Sequence, residues 1–350
     1  MKGSDAVEAR WYEKLGEGRV QCHLCAHECR IAEGKRGICA VRENRGGSLY
    51  TLVYGRTISE HVDPIEKKPL AHFYPGSRAY SVATVGCNFR CAWCQNANIS
   101  QMPRETGLIV GERSSPEEIV ASASRSGCRS IAYTYTEPTI FYEYAYDTAV
   151  LAHDTGIANV FVTNGFMTER MLDAFQPYLD AANVDLKGFR DETYRRHVGG
   201  RLQPVLDSLK KMKDLSIWVE VTTLVIPELN DDAGELRDAA HFIVEELGPE
   251  TPWHISRFFP GYEMRHVPPT PVETLHRAVE IGREEGLRYI FAGNVPGEAN
   301  TECHTCGELL IRRSGYRILA NRVTERQACP NCATPVAGVG LAPYSCPSFS

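Results

Sequence analysis

The cysteines of this 350-residue chain fall into three clusters, and their distribution limits the folds that it can adopt. Of the 13 cysteines, only Cys128 and Cys346 stand outside a cluster. In a reducing compartment, clustered cysteines more often bind metal than form disulfides. The sequence therefore predicts three metal sites. Their cysteines are Cys22, Cys25, Cys29 and Cys39, then Cys87, Cys91 and Cys94, and finally Cys303, Cys306, Cys329 and Cys332.

Composition and charge are those of an ordinary globular protein. Hydrophobic residues make up 43% of the chain and charged residues 23%, with a net charge of −6 and a pI of about 6.0. Nucleic acid is not favoured as a partner, although a local basic patch stays open. Residues 1–16 are polar, which predicts neither a signal peptide nor a membrane span. We therefore expect a cytoplasmic location and no membrane partner.

Between the two outer clusters, short apolar runs alternate with helical segments. The runs are almost continuously apolar, as is typical of parallel strands covered on both faces. Six strand–helix repeats predict an α/β fold whose parallel sheet curls into a (β/α)6 partial barrel, with a doubly wound sheet as the alternative. The predicted strands are residues 80–85, 130–134, 159–163, 183–187, 217–225 and 253–258, with 287–291 as a candidate seventh. The predicted helices begin at Ser115 and at residues 168, 202, 231 and 272.

A cysteine loop, Cys87-Asn88-Phe89-Arg90-Cys91-Ala92-Trp93-Cys94, follows the first predicted strand. Three thiolates are one too few for a [4Fe–4S] cluster, which usually takes four, so one iron stays open to another ligand. A zinc site or three unrelated thiols are the alternatives. In parallel α/β folds, ligands gather at the carboxyl ends of the strands. Polar motifs at residues 134–137, 163–165 and 185–187 fall at the same end.

The cysteine loop resembles the signature of the radical S-adenosylmethionine (SAM) superfamily. The resemblance implies that Cys87, Cys91 and Cys94 bind a [4Fe–4S] cluster, with Trp93 as a cofactor contact. It further implies reductive cleavage of SAM to a 5′-deoxyadenosyl radical, which abstracts hydrogen from a substrate. A one-electron reductant of the flavodoxin or ferredoxin type is implied as a partner.

The motif 134–138, Thr-Tyr-Thr-Glu-Pro, stands where the superfamily has a Gly-Gly-Glu-Pro-like motif that holds the amino group of SAM. The resemblance therefore implies that Thr136 and Glu137 are SAM contacts. Tyr135 and Thr136 replace the two glycines, which changes how closely the backbone can approach a ligand. A simple turn at the end of a strand is the alternative.

Two further motifs, Thr163-Asn164-Gly165 and Asp185-Leu186-Lys187, resemble motifs of the pyruvate formate-lyase activating enzymes. The resemblance implies that Asn164, Asp185 and Lys187 contact SAM, with the lysine as the counter-charge of the methionine carboxylate. A strand-end ion pair between Asp185 and Lys187 is the alternative.

The outer cysteine clusters form two small modules. In the C-terminal cluster, two Cys-x2-Cys knuckles are 22 residues apart, which is typical of a zinc ribbon with four thiolate ligands, and residues 308–324 could form its hairpin. The N-terminal cluster predicts a zinc site or an auxiliary Fe–S cluster, because thiolates serve both.

The order of the modules narrows the resemblance to the radical SAM enzyme of the AmmeMemoRadiSam system. Residues 22–44, 61–70, 86–91 and 293–297 carry it. The resemblance implies a relation to glycyl-radical activating enzymes and an association with Memo-like and AMMECR-like proteins, but it implies no substrate.

The modules predict three domains and one principal function. The domains are an N-terminal four-cysteine module (1–75), the radical SAM barrel (76–298) and a zinc-ribbon-like module (299–350). The predicted function is that of a radical SAM oxidoreductase acting on a protein, an RNA or a small molecule. Activation of a glycyl-radical enzyme is one alternative, and a non-catalytic Fe–S and zinc protein that senses redox state or scaffolds a complex is another.

Overall fold

The structure is a computed structural model that describes residues 6–295 and 299–343. Cys346, Pro296, Gly297 and the predicted domain boundary between residues 298 and 299 lie outside the described ranges. Within those ranges, no helix is long and apolar enough to cross a membrane.

The N-terminal module consists of short antiparallel strands. They form two three-stranded sheets, in the orders β1-β6-β5 and β2-β3-β4. Strands this short cannot enclose a core of their own, and Val20, Leu24 and Leu49 are buried in the same apolar cluster as the central sheet. The strands are β1 (Val7–Glu8), β2 (Tyr12–Lys14), β3 (Val20–Cys22), β4 (Arg30–Ile31), β5 (Arg42–Arg45), β6 (Ser48–Thr51) and β7 (Arg56–Thr57).

The central sheet has eight strands in the order β16-β15-β14-β13-β12-β11-β9-β8. Seven of them are parallel, and β8 pairs antiparallel with β9 at one edge. The short strand β10 pairs with β7 outside this sheet. The strands are β8 (Ser59–Pro64), β9 (Arg78–Ala83), β10 (Glu112–Arg113), β11 (Ser130–Tyr133), β12 (Ala158–Thr163), β13 (Ala181–Asp185), β14 (Trp218–Val225), β15 (Trp253–Arg257) and β16 (Ile290–Gly293).

The sheet confirms the predicted parallel α/β class and the six predicted strands, and β16 confirms the candidate seventh. Closure into a partial barrel stays a prediction. The edge strand β8 was not predicted, because its sequence, Ser-Glu-His-Val-Asp-Pro, has no apolar run and most of its residues are at least partly exposed.

Helices connect successive parallel strands. The predicted start at Ser115 is confirmed, because its hydroxyl accepts from the backbone of Glu118 in a capping box. The helices are α1 (Ala97–Ser100), α2 (Met102–Thr106), α3 (Pro116–Arg125), α4 (Tyr142–Asp154), α5 (Glu169–Phe175), α6 (Asp191–Thr193), α7 (Gln203–Asp214), α8 (Ala233–Phe242) and α9 (Val272–Glu284). Further turns are the 3-10 segments Ile65–Lys67, Pro138–Phe141 and Gln176–Tyr178 and the π-helical segments Tyr194–Val198 and Ile243–Leu247.

The C-terminal module is a three-stranded antiparallel sheet. It contains β17 (Thr301–Glu302) and the hairpin of β18 (Leu309–Ser314) and β19 (Arg317–Asn321), which confirms the predicted hairpin. Its apolar side chains form a separate small core with Tyr289 and Phe291, beside the β16 edge of the central sheet.

Candidate functional site

A cavity of about 320 Å³ opens at the carboxyl ends of the parallel strands. We call it the thiol cavity, because three cysteines of one loop line it. The structure brings together at its lining every residue predicted in this region. These residues are Cys87, Cys91, Trp93, Cys94, Thr136, Glu137, Asn164, Asp185 and Lys187.

The cysteine loop is held from two sides. Its backbone pairs with the π-helical segment, since Arg90 N donates to Val198 O (2.8 Å) and Ala92 N donates to His197 O (3.0 Å). Burial raises the pKa of Cys91 to about 12 and that of Cys87 well above its ordinary value. Thiols shielded in this way ionise only when a cation compensates the charge, and metal ions do so.

Glu137 joins the ends of two strands. It is buried, and its Oε1 accepts from Thr163 Oγ1 (2.7 Å) and Thr139 Oγ1 (2.6 Å) while its Oε2 accepts from Asn164 N (2.8 Å). Burial raises the pKa of this carboxyl, although these donors oppose the shift. Glu137 therefore fixes the position of the Thr163-Asn164-Gly165 turn relative to its own strand, as well as lining the cavity.

Asn164 connects that turn to the cysteine loop. Its Nδ2 donates to Asn88 Oδ1 (2.7 Å) and lies 3.9 Å from Cys87 Sγ, and its Oδ1 accepts from Phe166 N (3.0 Å). Gly165 has φ +69°, and a Cβ there would lie 2.8 Å from Val184 Cγ1. The turn therefore requires glycine both for its backbone angle and for its contact with the neighbouring strand.

Lys187, which follows β13, also lines the thiol cavity. Its Nζ donates to Asp185 Oδ2 (3.0 Å), and its backbone N donates to Tyr194 OH (3.0 Å). Burial alone would lower the pKa of Lys187, but Asp185 and the neighbouring Cys91 outweigh it and hold the pKa above its ordinary value. The strand-end ion pair considered as an alternative exists, and it also places an ammonium group beside the thiols.

From its sequence, the charged stretch 61–70 could line the substrate side of the cluster or form a charged surface loop. The structure places part of it at the thiol cavity. Asp63 on β8 accepts from Lys67 (2.8 Å), Lys68 (2.7 Å) and the hydroxyl of Tyr135. Burial alone would raise the pKa of Asp63, but the two lysines and the tyrosine outweigh it and hold the pKa low. Lys67, Lys68 and Tyr135 line the cavity. The sequence carried one signal for this cluster, because Tyr135 stands where the superfamily motif has a glycine. In the structure, Tyr135 has φ +63°, a backbone angle that non-glycine residues rarely adopt.

The N-terminal cysteines lie directly behind the cysteine loop. His27, between Cys25 and Cys29, donates from Nε2 to the backbone carbonyl of Asn88 (2.8 Å). The hydroxyl of Thr168 donates to His23 O (2.8 Å). Burial raises the pKa of all four thiols, and it raises the pKa of Cys25 well above its ordinary value.

Arg42 gives the N-terminal cluster a buried positive charge. It is 2% exposed and pairs with Glu143, and its Nε and one terminal nitrogen have no hydrogen-bond partner among the described residues. Its charge interacts with Cys22 and Cys39. The unsatisfied donors therefore suit thiolates rather than thiols, as metal binding requires.

The C-terminal cysteines are much closer to one another. Cys303 Sγ and Cys332 Sγ are 3.6 Å apart, and Cys306 Sγ and Cys329 Sγ are 3.7 Å apart. All four sulfur atoms lie within 4.8 Å of one another, and in the described part of the chain no other group of cysteines does. This cluster of four can hold a metal ion.

Comparisons with known proteins identify relatives of this chain. The sequence profile of the radical SAM superfamily matches residues 81–242. An uncharacterised protein of Methanocaldococcus jannaschii is 47% identical over 332 residues, which cover 94% of this chain and 98% of that protein. The pyruvate formate-lyase-activating enzyme of Clostridium pasteurianum is 23% identical over 176 residues, or 48% of this chain and 70% of that enzyme. A solved radical SAM methyltransferase from Sphaerobacter thermophilus is 13% identical and shares the fold, with a TM-score of 0.50 over 87% of this chain and 81% of that one.

The fold and the site define a class of protein, a parallel α/β protein with three thiols of one loop at the carboxyl end of its sheet. The chain belongs to the radical SAM superfamily, and pyruvate formate-lyase-activating enzymes are among its homologues. The superfamily implies a [4Fe–4S] cluster and SAM as cofactors.

Proposed function

We propose that this protein is a radical SAM oxidoreductase that binds a [4Fe–4S] cluster through Cys87, Cys91 and Cys94 and cleaves SAM reductively. One observation carries the proposal. Three cysteines of one loop line a cavity whose other walls bear a buried carboxylate, an amide and an ammonium group, and no fourth cysteine is among the described residues of that lining. A cluster held by three thiolates keeps one iron free for a further ligand.

The donor set suits both cofactors. Sulfur is the ligand that iron–sulfur clusters take, and Cys91 is buried while Cys87 is half-buried. Lys187 is the cation that the carboxylate of SAM requires. Thr136, Glu137, Asn164, Asp185 and Trp93 would complete the contacts. Once bound, the cluster and SAM supply one-electron cleavage of the sulfonium and a carbon radical that abstracts hydrogen.

We propose zinc for the C-terminal module. A Zn–S bond of about 2.3 Å in a tetrahedral site places the sulfur atoms about 3.8 Å apart. The two sulfur–sulfur distances, 3.6 and 3.7 Å, fit that spacing without rearrangement.

For the N-terminal cysteines, an auxiliary Fe–S cluster has the better support, with zinc as the alternative. The thiolates of an Fe–S cluster bind several different irons, so their sulfur atoms lie farther apart than the sulfur atoms around one zinc ion. Among the residues that the structure describes, the four N-terminal sulfur atoms do not lie within 4.8 Å of one another, as the C-terminal four do.

The partners stay proposals as well. A flavodoxin- or ferredoxin-type protein would supply the electron, and the resemblance to the AmmeMemoRadiSam system suggests Memo-like and AMMECR-like proteins as associates. Activation of a glycyl-radical enzyme is the second candidate function, and similarity to the activating enzyme of Clostridium pasteurianum supports it. A glycine-centred doublet in the EPR spectrum of a partner enzyme would distinguish it.

Anaerobic SAM cleavage tests the principal proposal. After reconstitution with iron and sulfide, the protein is mixed with dithionite and SAM, and 5′-deoxyadenosine and methionine are quantified. We expect both products from the wild type and neither from the Cys87→Ala, Cys91→Ala, Cys94→Ala triple variant. Cys128→Ala is the matched control, because Cys128 is buried but does not line the cavity. A reducible cluster that leaves SAM intact would instead favour a redox sensor or scaffold.

A further inference from the structure

A second cavity adjoins the thiol cavity. Lys67, Gln95, Ser256 and Asn294 line both, so the two spaces meet along one boundary. The second cavity has a volume of about 490 Å³, which is within the range of small-molecule sites. We call it the second chamber, and its walls include Glu66, His254, Phe291, Arg313 and Tyr316.

The C-terminal module forms one wall of the second chamber. Arg313 on β18 is 2% exposed, and it donates to the backbone carbonyls of Ala71 (2.8 Å) and Ala299 (3.0 Å). Tyr316, at the turn of the same hairpin, is 51% exposed. The hairpin is therefore anchored close to its turn by a buried guanidinium, and its turn presents an aromatic side chain to the chamber.

A buried carboxylate lies behind the wall that carries His254. Glu220 on β14 is fully buried and accepts four hydrogen bonds, from Ala71 N (2.8 Å), His72 N (2.8 Å), Trp218 Nε1 (3.0 Å) and His254 Nε2 (2.6 Å). The first three partners can only donate. Burial alone would raise the pKa of Glu220, but its hydrogen bonds and the two neighbouring histidines outweigh burial and hold the pKa below its ordinary value, so Glu220 is a carboxylate.

This carboxylate determines which nitrogen of His254 carries the proton. Because a carboxylate only accepts, Nε2 of His254 must donate, and in the neutral ring Nδ1 then bears the lone pair. No hydrogen-bond partner of Nδ1 is found among residues 6–295 and 299–343, and this atom is not one of the buried unpartnered nitrogens. The ring also stacks on Phe291, with centroids 5.1 Å apart, which fixes its plane.

We infer that the second chamber is the substrate site and that His254 Nδ1 accepts a hydrogen bond there from a hydroxyl or amine group of a small-molecule substrate. The inference rests on the proposed function, since it places the substrate beside the thiol cavity where SAM would bind. An oriented lone pair on a rigid, otherwise buried ring selects an O–H or N–H donor. A cavity of about 490 Å³ suits a small molecule rather than a folded protein.

Deuterium transfer tests the inference without a known substrate. Deuterium abstracted from a deuterated substrate enters 5′-deoxyadenosine, and mass spectrometry detects the deuterated product. The reconstituted full-length protein is therefore supplied with SAM, dithionite and either the low-mass or the protein fraction of an extract from its source organism grown in D₂O. We expect deuterated product with the low-mass fraction only.

Variants then locate the substrate. His254→Gln keeps an N–H donor toward Glu220 but moves the acceptor, now the amide Oε1, away from the position of the ring Nδ1. We expect the deuterated share of 5′-deoxyadenosine to fall about 10- to 100-fold, as for a substrate group left unpaired. His276→Gln, an exposed histidine on α9, is the matched control. Ala292→Phe, which fills the chamber and leaves the Glu220–His254 pair untouched, should lower the same share.

The outcomes separate the two proposals. If the wild type forms no 5′-deoxyadenosine, the proposed function fails. If it forms 5′-deoxyadenosine but takes deuterium only from proteins or from neither fraction, or if His254→Gln and Ala292→Phe keep the wild-type share, the substrate chamber is wrong.

Discussion

The two four-cysteine modules differ in how they meet the central sheet. Cys22 and Cys39 of the N-terminal module belong to the main apolar core, and Cys29 packs against it. His27 and Thr168 connect their loop to the cysteine loop and its neighbouring turn. The C-terminal cysteines have a small core of their own against β16, and two of the four are exposed. One module is built into the support of the thiol cavity, whereas the other is attached beside it and contributes only to the second chamber.

We therefore expect substitutions in the two modules to have different effects on SAM cleavage. A change in the N-terminal module should disturb the cysteine loop and therefore SAM cleavage. A change in the C-terminal module should leave SAM cleavage intact and affect only what reaches the second chamber.

One glycine that packs against the N-terminal module and one glycine in the C-terminal module allow the largest expected difference to be measured. Gly86 precedes the cysteine loop at φ +101°, and a Cβ there would lie 2.6 Å from Val41 Cγ1 and 3.2 Å from Cys39 O. We expect Gly86→Ala to destabilise the fold by about 3 kcal/mol, through overpacking and backbone strain together. Gly315, at the turn of the C-terminal hairpin, has φ +55° and nothing within 4 Å, so Gly315→Ala should cost only about 1 kcal/mol. Urea denaturation of the two variants measures the difference, and equal losses would contradict the close packing described for the N-terminal module.

Single cysteine substitutions provide the second test. We expect Cys39→Ser to lower 5′-deoxyadenosine formation about 10- to 100-fold, the usual effect of disturbing the groups that support a metal site. Cys306→Ser should leave this rate unchanged while releasing the zinc proposed for its module. Iron and zinc analysis of both variants shows which metal each one loses. If Cys306→Ser impaired SAM cleavage as much as Cys39→Ser, the distinction between the modules would be lost.

Much of this organisation can be predicted from the sequence, because the signals are local. The parallel strands have nearly continuous apolar runs, and the cysteine spacings identify the ligand sets. Helix α4 was not predicted, because residues on several of its faces are buried, among them Tyr142, Glu143, Tyr144 and Ala149. Burial on many sides removes the one-sided apolar pattern that identifies a surface helix.

Contacts between distant segments account for what the sequence could not predict at the site. Asp63 meets Tyr135 across 72 positions, and Glu220 meets His72 across 148. No spacing rule joins residues so far apart. The nine residues predicted at the thiol cavity each belong to a short motif at a strand end, and parallel strands place their carboxyl ends together.

The third test measures how acid changes folding stability through the contact between the C-terminal module and the central sheet. His72 is fully buried; its Nδ1 donates to Ala337 O (2.8 Å), and its Nε2 therefore accepts from Thr301 Oγ1 (3.1 Å). Burial lowers the pKa of His72 to about 4, and the charge of Arg313 adds to this effect. The neutral ring is thus part of the interface between the module and the central sheet.

The sign of the effect follows from these pKa values. An unfolded histidine titrates near pH 6.5, so between about pH 6.5 and 4 the unfolded chain binds a proton that the folded chain does not. Folding stability should therefore fall as the pH falls through this window, by about 2 kcal/mol at pH 5 relative to pH 8. Urea denaturation at the two pH values measures the loss. His72→Asn keeps a donor toward Ala337, so it should be less stable at pH 8 but should lose less on acidification. The exposed His276→Asn should retain the wild-type slope, and a His72→Asn variant with that same slope would show that His72 stays protonated or solvated in the folded protein.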